Sequence, residues 1–102
     1  MQEFEIVRFY LRGQNLEQLG RVDEAIELYE RAVEEGFDAT GPYDRLIALH
    51  GGRAQHGEVI RVAEAALKAV RTYEAKRAWY QRTIEEANKA RSKAPRAAPR
   101  PK

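Results

Sequence analysis

Two stretches of this chain are alike at an offset of 34 residues. The segment from Ala25 to Val33 aligns without a gap with the segment from Val59 to Leu67, and upstream Phe9 falls opposite Tyr43. A repeat of about 34 residues is long enough for two helices and the turn between them. Because one such hairpin cannot bury its apolar face alone, the copies must stack. The period therefore predicts an all-α fold in which antiparallel helix hairpins pack side by side.

The first copy contains two predicted helices. Apolar residues recur at helical spacing from Phe4 onward, and this helix should end near Leu19, because Gly20 can take the left-handed conformation that closes a helix. Asp23 is placed to open the second helix, which should end at Gly36. Together the two helices form the first hairpin.

The second copy contains two more predicted helices. Thr40 can cap a third helix, with Pro42 in its first turn, where the missing amide hydrogen has no partner to lose. Gly51 and Gly52 should stop this helix, and a fourth should begin around residue 57 or 58. A further helix after these brings the total to about five.

Residues 58–90 allow two interpretations. No Gly, Pro, Asn or Asp occurs between Glu58 and Ala87, so a single helix of about 30 residues is one of them. The exposed part of that rod would pair with another copy of the chain, giving a homo-oligomer. The other interpretation places a break near Thr72 and a capping helix at about 72–90, with Tyr80 on its inner face. We favour the break, because the repeat register puts a turn there.

Charge is unevenly distributed along the chain. The net charge is +2, but residues 91–102 hold five basic and no acidic side chains, which leaves 13 basic and 16 acidic groups in residues 1–90. The last segment also contains Pro95, Pro99 and Pro101, a composition that cannot bury apolar surface. We predict a helical domain at 1–90 and a disordered basic tail at 91–102.

Composition also bounds the setting of the protein. Its first residues are acidic where a secretory signal would be basic, and the chain has no Cys for disulfides. The longest apolar runs are far shorter than the roughly 20 residues that a membrane span requires. These features predict a cytoplasmic protein without a membrane segment.

The sequence offers little support for catalysis or metal binding. His50 and His56 show neither a His-x-x-x-His nor a Glu-x-x-His spacing. Adjacent carboxylates such as Glu34 and Glu35 point in different directions on a helix and cannot act as an acid/base pair. We therefore predict a non-enzymatic protein with no catalytic residue, no cofactor and no metal.

Several of these residues resemble the tetratricopeptide repeat (TPR) family. The family places an aromatic and a small residue in the first helix, Gly in the turn, and a small residue, an aromatic and Ala in the second helix. The first copy matches these places in order with Phe9, Gly13, Gly20, Ala25, Tyr29 and Ala32. In the second copy Ile47 stands where the family prefers a small residue, and Ala54 replaces the turn Gly. The resemblance implies a right-handed TPR-like stack, with repeat 1 at about 6–39 and repeat 2 at about 40–73.

The pattern assigns one set of residues to packing and another to partner binding. The expected packing residues are Phe9, Gly13, Leu16, Gly20, Ala25, Tyr29, Ala32, Tyr43, Leu46, Ala63, Ala66 and Tyr80. In the family, the first helix of each hairpin lines a concave groove that holds a peptide. The matching outward residues here are Tyr10, Gln14, Glu17, Asp44, Arg45 and Ala48, with Arg82 on the capping helix as a further candidate.

Two functions are compatible with these features. The resemblance implies a protein-interaction adaptor or scaffold that binds a peptide or helix of a partner protein in the groove. The alternative is a nucleic-acid-associated protein whose basic tail contacts phosphates. The tail has no aromatic residue to stack on bases, and residues 1–90 are mildly acidic. The sequence therefore favours the adaptor.

Overall fold

The computed structural model describes residues 3–71 and 74–93 of the chain. Within these ranges the fold is all-α, as predicted, and no residue is in a strand. The five helices are α1 (Glu3–Gln18), α2 (Val22–Glu34), α3 (Gly41–Gly52), α4 (His56–Ala69) and α5 (Glu74–Lys93). Each helix packs mainly against its neighbours in sequence, and α2 also contacts α4.

Glycine closes the first two helices as the sequence predicts. Gly20 and Gly36 both have positive φ, +80° and +68°. After α1 the Arg21 N–H donates to the Leu16 carbonyl at 2.9 Å, and the Gly20 N–H donates to the Glu17 carbonyl at 3.0 Å. This pair of bonds is the Schellman motif, which satisfies carbonyl groups that the end of a helix leaves without partners.

The third helix ends later than predicted. Gly51 and Gly52 were expected to stop it, but α3 runs through Gly52 and the left-handed residue is Ala54, with φ +57°. The Gln55 N–H donates to the His50 carbonyl at 2.9 Å, as in the earlier Schellman turn. Glycine permits a helix to end but does not force it, and this turn lies 34 residues after Gly20. Ala54 therefore takes the role of the turn glycine.

We expect Ala54→Gly to stabilise the protein by about 0.5–1 kcal/mol, because a Cβ atom disfavours the left-handed conformation. The urea midpoint of unfolding measures this change. Gly20→Ala is the matched control, because a Cβ at position 20 would meet no atom within 4 Å and only the backbone conformation is tested. It should lower the stability by about 1 kcal/mol. A lower urea midpoint for Ala54→Gly would contradict the interpretation that the backbone at Ala54 is strained.

The other helix boundaries agree with the predictions only in part. Thr40 precedes α3 but already has helical dihedrals, and its side chain makes no capping hydrogen bond, so the predicted cap is wrong. Of the two interpretations of residues 58–90, the favoured one with two helices is confirmed, because α4 ends at Ala69 and α5 begins at Glu74 and the single 30-residue helix is not formed. The helix α5 reaches Lys93, so residues 91–93, predicted as tail, are helical. The rest of the predicted tail, residues 94–102, lies outside the described residues. Thr72, near which the break was predicted, also lies outside them.

Most of the predicted packing residues are buried. Tyr29, Tyr43 and Tyr80 have no exposed surface. Gly13, Ala25, Ala32, Leu46, Ala63 and Ala66 are buried as well. Leu16 is half-buried but packs against the main core cluster, as predicted. Two assignments need correction: Phe9 is half-buried outside that cluster, and Gly20 is exposed in its turn.

Large and small core residues exchange helices between the two hairpins. An added Cβ at Gly13 would come within 2.6 Å of the Tyr29 ring, so α1 and α2 approach closely there. The corresponding residues 34 positions later are Ile47 and Ala63, both buried in one core cluster. In the first hairpin the large residue is on the second helix, and in the second hairpin it is on the first helix. The summed volume of each pair of residues is nearly the same. Ile47, a departure from the family pattern, is thus compensated by a small residue at 63.

Candidate partner-binding surface

The residues predicted to line a groove lie on three helices. Tyr10, Gln14 and Glu17 are on α1, Asp44, Arg45 and Ala48 are on α3, and Arg82 is on α5. We call this set the α1–α3 surface. Most of its side chains bond to one another or to neighbouring helices.

Glu17 joins three helices at this surface. Its carboxylate accepts a hydrogen bond from the Tyr29 hydroxyl of α2 at 2.8 Å, and it forms an ion pair with the Arg45 guanidinium of α3. Hydrogen bonding from Arg45 is the main cause that lowers the pKa of Glu17. The carboxylate is therefore ionised at neutral pH, and its contribution to stability is lost as the pH falls through this lowered pKa. Glu17 acts here as a structural link.

Asp44 links α3 to α5 in a similar way. Its carboxylate accepts a hydrogen bond from the Tyr80 hydroxyl at 2.9 Å and pairs with the Lys76 ammonium at 3.1 Å. Burial, followed by the hydrogen bond to Asp44, raises the pKa of Tyr80. The phenol is therefore protonated at neutral pH and donates to the carboxylate. A ligand at Asp44 would have to displace these contacts.

Tyr10 is half-buried, and its side chain contacts residues of both hairpins. Its hydroxyl accepts a hydrogen bond from the Gln14 amide at 3.0 Å, and its ring centroid lies 5.9 Å from that of Tyr29. The ring also contacts Gly41 at the start of α3. Tyr10 and Gln14 thus fill the junction between the hairpins. Ala48 and Arg82 are exposed.

A depression that the sequence did not predict lies between α1 and α2. It has a volume of about 720 Å³, whereas the depression lined by Gln14, Glu17, Gln18 and Arg45 has about 240 Å³. Its apolar lining consists of Phe9, Leu11, Leu16 and Leu28. Its charged lining consists of Arg8, Arg12 and Arg31 with Glu5, Glu24 and Glu27. We call this set the α1–α2 groove.

Exposed apolar side chains concentrate at the hairpin that forms this groove. Among the described residues, the large apolar side chains with high exposure are Phe4 (61%), Leu11 (51%) and Leu19 (70%), on α1 or directly after it. The Arg31 guanidinium lies 4.4 Å from the centre of the Phe9 ring, a cation–π contact. Sequence periodicity placed Phe9 in the packing interface, because it cannot tell which side of a hairpin another helix covers.

No helix within residues 3–71 and 74–93 is long and apolar enough to cross a membrane. No family model matches the chain, and neither the curated proteins nor the solved structures contain a significant match to it.

Proposed function

We propose that this chain is a protein-interaction module in which TPR-like helix hairpins, stacked as a right-handed solenoid, hold a peptide or helix of a partner protein. The sequence repeat and the exposed apolar groove support the proposal. The observation that carries it is the α1–α2 groove, with Leu11 exposed at its lining.

Helix boundaries support the duplicated architecture. Gln18 and Gly52 close α1 and α3 and lie 34 positions apart, and the same interval separates Val22 from His56 at the starts of α2 and α4. Gly20 and Ala54, the left-handed turn residues, repeat at this interval too. Two hairpins whose inner turns repeat at 34 residues are consistent with the arrangement that the TPR resemblance implies.

The α1–α2 groove suits a partner better than the α1–α3 surface does. Glu17, Arg45 and Asp44 are already paired, so a ligand there must break existing ion pairs before it gains new ones. The α1–α2 groove instead offers apolar surface that gains by removal from water. Its arginines and glutamates are equal in number, which favours an occupant of mixed charge. An amphipathic helix with apolar residues on one face fits these properties.

The test uses two lysine substitutions at exposed positions. Leu11→Lys places a charge in the α1–α2 groove, and Ala48→Lys places one on the α1–α3 surface; both residues are exposed, so neither change should alter stability by more than about 0.5 kcal/mol. Affinity capture from the source cell should recover a protein partner with the parent chain. We expect Leu11→Lys to weaken that binding by about tenfold or more and Ala48→Lys to leave it unchanged.

A photo-crosslinking residue locates the contact directly. Placed at position 11 it should crosslink to one segment of the partner, whereas at Glu64, an exposed residue of α4, it should not. Loss of binding with Ala48→Lys alone would move the site to the α1–α3 surface. Failure to recover any protein partner, together with salt-sensitive binding to nucleic acid, would contradict the proposed function and favour the nucleic-acid alternative.

A further inference from the structure

Three side chains from three different helices converge near the junction of the hairpins. Glu30 lies on α2, His50 on α3 and Glu58 on α4. One ligand atom from each, a carboxylate oxygen or an imidazole nitrogen, lies within 4.8 Å of the other two. Two carboxylates and an imidazole are a common ligand set for a divalent metal.

His50 is oriented for this role. The residue is only 7% exposed, and its Nδ1 lies 2.8 Å from the Gln55 side-chain oxygen. Because an amide oxygen only accepts hydrogen bonds, Nδ1 carries the proton and a neutral ring leaves the lone pair on Nε2. Metal-binding histidines are typically held by such a hydrogen bond on the other ring nitrogen.

The Nε2 atom of His50 has no hydrogen-bond partner among the described residues, although it is buried. It faces the Glu30 carboxylate at 3.5 Å, which is longer than a normal hydrogen bond. A buried nitrogen without a partner is unusual in a folded protein, since buried polar atoms generally find one. This atom therefore points to a ligand between it and the two glutamates.

A cation already occupies part of this space. The Arg61 guanidinium bonds to the Glu30 and Glu58 carboxylates, so the two negative charges converge on one positive group. The Arg61 side chain is 44% exposed and can rotate into solvent. Glu30 and Glu58, at 28% and 47%, are free enough to adjust. A divalent ion would satisfy both carboxylates and also the Nε2 atom, which Arg61 does not.

We propose that Glu30, His50 and Glu58 bind a first-row divalent metal ion, for which Zn²⁺ is the representative, with water completing the coordination. Ligands of Zn²⁺ lie about 2.0–2.2 Å from the ion, so small rotations of the two glutamates bring all three atoms to it. The imidazole favours Zn²⁺ over Mg²⁺ and Ca²⁺, which prefer oxygen ligands. The bound ion clamps α2 of the first hairpin to α3 and α4 of the second.

Titration of the tag-free full chain with Zn²⁺ tests the proposal. We expect one saturable site by calorimetry, a rise in Tm with Zn²⁺ and none with Mg²⁺, and, with Co²⁺ as a spectroscopic probe, visible absorption typical of nitrogen and oxygen ligands. Glu58→Gln should weaken the Zn²⁺ Kd by at least about tenfold, since even residues behind the ligands often contribute that much. Because the Glu58 side chain is half-exposed, we expect this variant to fold like the parent.

Two control variants, and a third variant that should tighten Zn²⁺ binding, accompany this titration. Glu64→Gln, on the exposed side of the same helix, and His56→Ala, which removes the other imidazole, should leave the Kd unchanged. Arg61→Gln should tighten Zn²⁺ binding several-fold, because it removes the competing cation, even though it deletes an ion pair from the metal-free protein. A purely structural role for the cluster predicts no such gain.

Imidazole ¹⁵N chemical shifts identify the ligand atom without a substitution of buried His50. We expect the Nε2 signal of His50 to move on addition of Zn²⁺ and that of His56 to stay in place. The proposal is overturned if Zn²⁺ gives no saturable binding, if Glu58→Gln binds like the parent, or if both ring nitrogens of His50 carry protons and Zn²⁺ leaves them unchanged. The last result would assign His50 to an ion pair with Glu30.

Discussion

Replacement of Tyr29 by Ala is expected to lower the free energy of unfolding by about 3–5 kcal/mol, the range for deletion of a buried aromatic side chain. Tyr29 has no exposed surface and lies against Gly13, where the two helices of the first hairpin are closest. Its ring also contacts Tyr10, and its hydroxyl donates to Glu17. Urea unfolding followed by circular dichroism measures the loss, which a domain of this size has little reserve to withstand.

The variant Tyr29→Phe tests the contribution of the hydroxyl separately from that of the ring. The ring contacts stay, and Glu17 keeps its ion pair with Arg45 after it loses the hydrogen bond from position 29. We expect this variant to cost about 1 kcal/mol, the usual value of one hydrogen bond. If Tyr29→Ala unfolded at the same urea concentration as the parent, the assignment of Tyr29 to the interface of the first hairpin would be wrong.

Replacement of Tyr80 by Ala is expected to have a similar effect, about 3–5 kcal/mol, but concentrated on α5. Tyr80 and Ala87 are the buried residues of this helix, and the Tyr80 hydroxyl donates to Asp44 of α3. Without the ring, α5 retains mainly half-buried contacts such as those of Trp79 and Ile84. Hydrogen exchange resolved by residue should show faster exchange for α5 amides than for those of α1 and α2.

Tyr80→Phe is the matched control for this prediction. It keeps the buried ring, and Asp44 still pairs with Lys76 at 3.1 Å after the hydroxyl is lost. We expect α5 to stay protected from exchange, with a cost of about 1 kcal/mol. Uniform loss of protection over all helices in Tyr80→Ala would mean that α5 and the hairpins unfold as one unit. Unchanged protection in α5 would contradict the role of Tyr80 as its anchor.

Periodicity located the helices and their turns because these depend on neighbours in sequence. The apolar spacing, together with Gly20 and Gly36, predicted α1 and α2 and the left-handed turns after them, as the structure has them. The end of α3 was misplaced at Gly51 and Gly52. Glycine permits a helix to end but does not force it, and here the left-handed residue that ends α3 is Ala54.

The candidate sites depended more heavily on contacts between distant residues. The TPR resemblance predicted Tyr10, Glu17, Asp44 and Arg45 as outward residues. In the structure each of these side chains forms a hydrogen bond or an ion pair with another residue of the chain. The α1–α2 groove was missed, because a helical stripe does not reveal which neighbour covers it. No sequence spacing predicted the convergence of Glu30, His50 and Glu58, since each comes from a different helix.

The sequence by itself determined the all-α class, the interval of 34 residues and most of the buried face, because helical periodicity and turn chemistry are local properties. Only the tertiary structure decided which polar side chains meet, as Glu17 does with Arg45, and which apolar side chains stay exposed, as Leu11 does. Those outcomes depend on how the helices are placed against one another, and side chains from helices far apart in sequence become neighbours only after that packing.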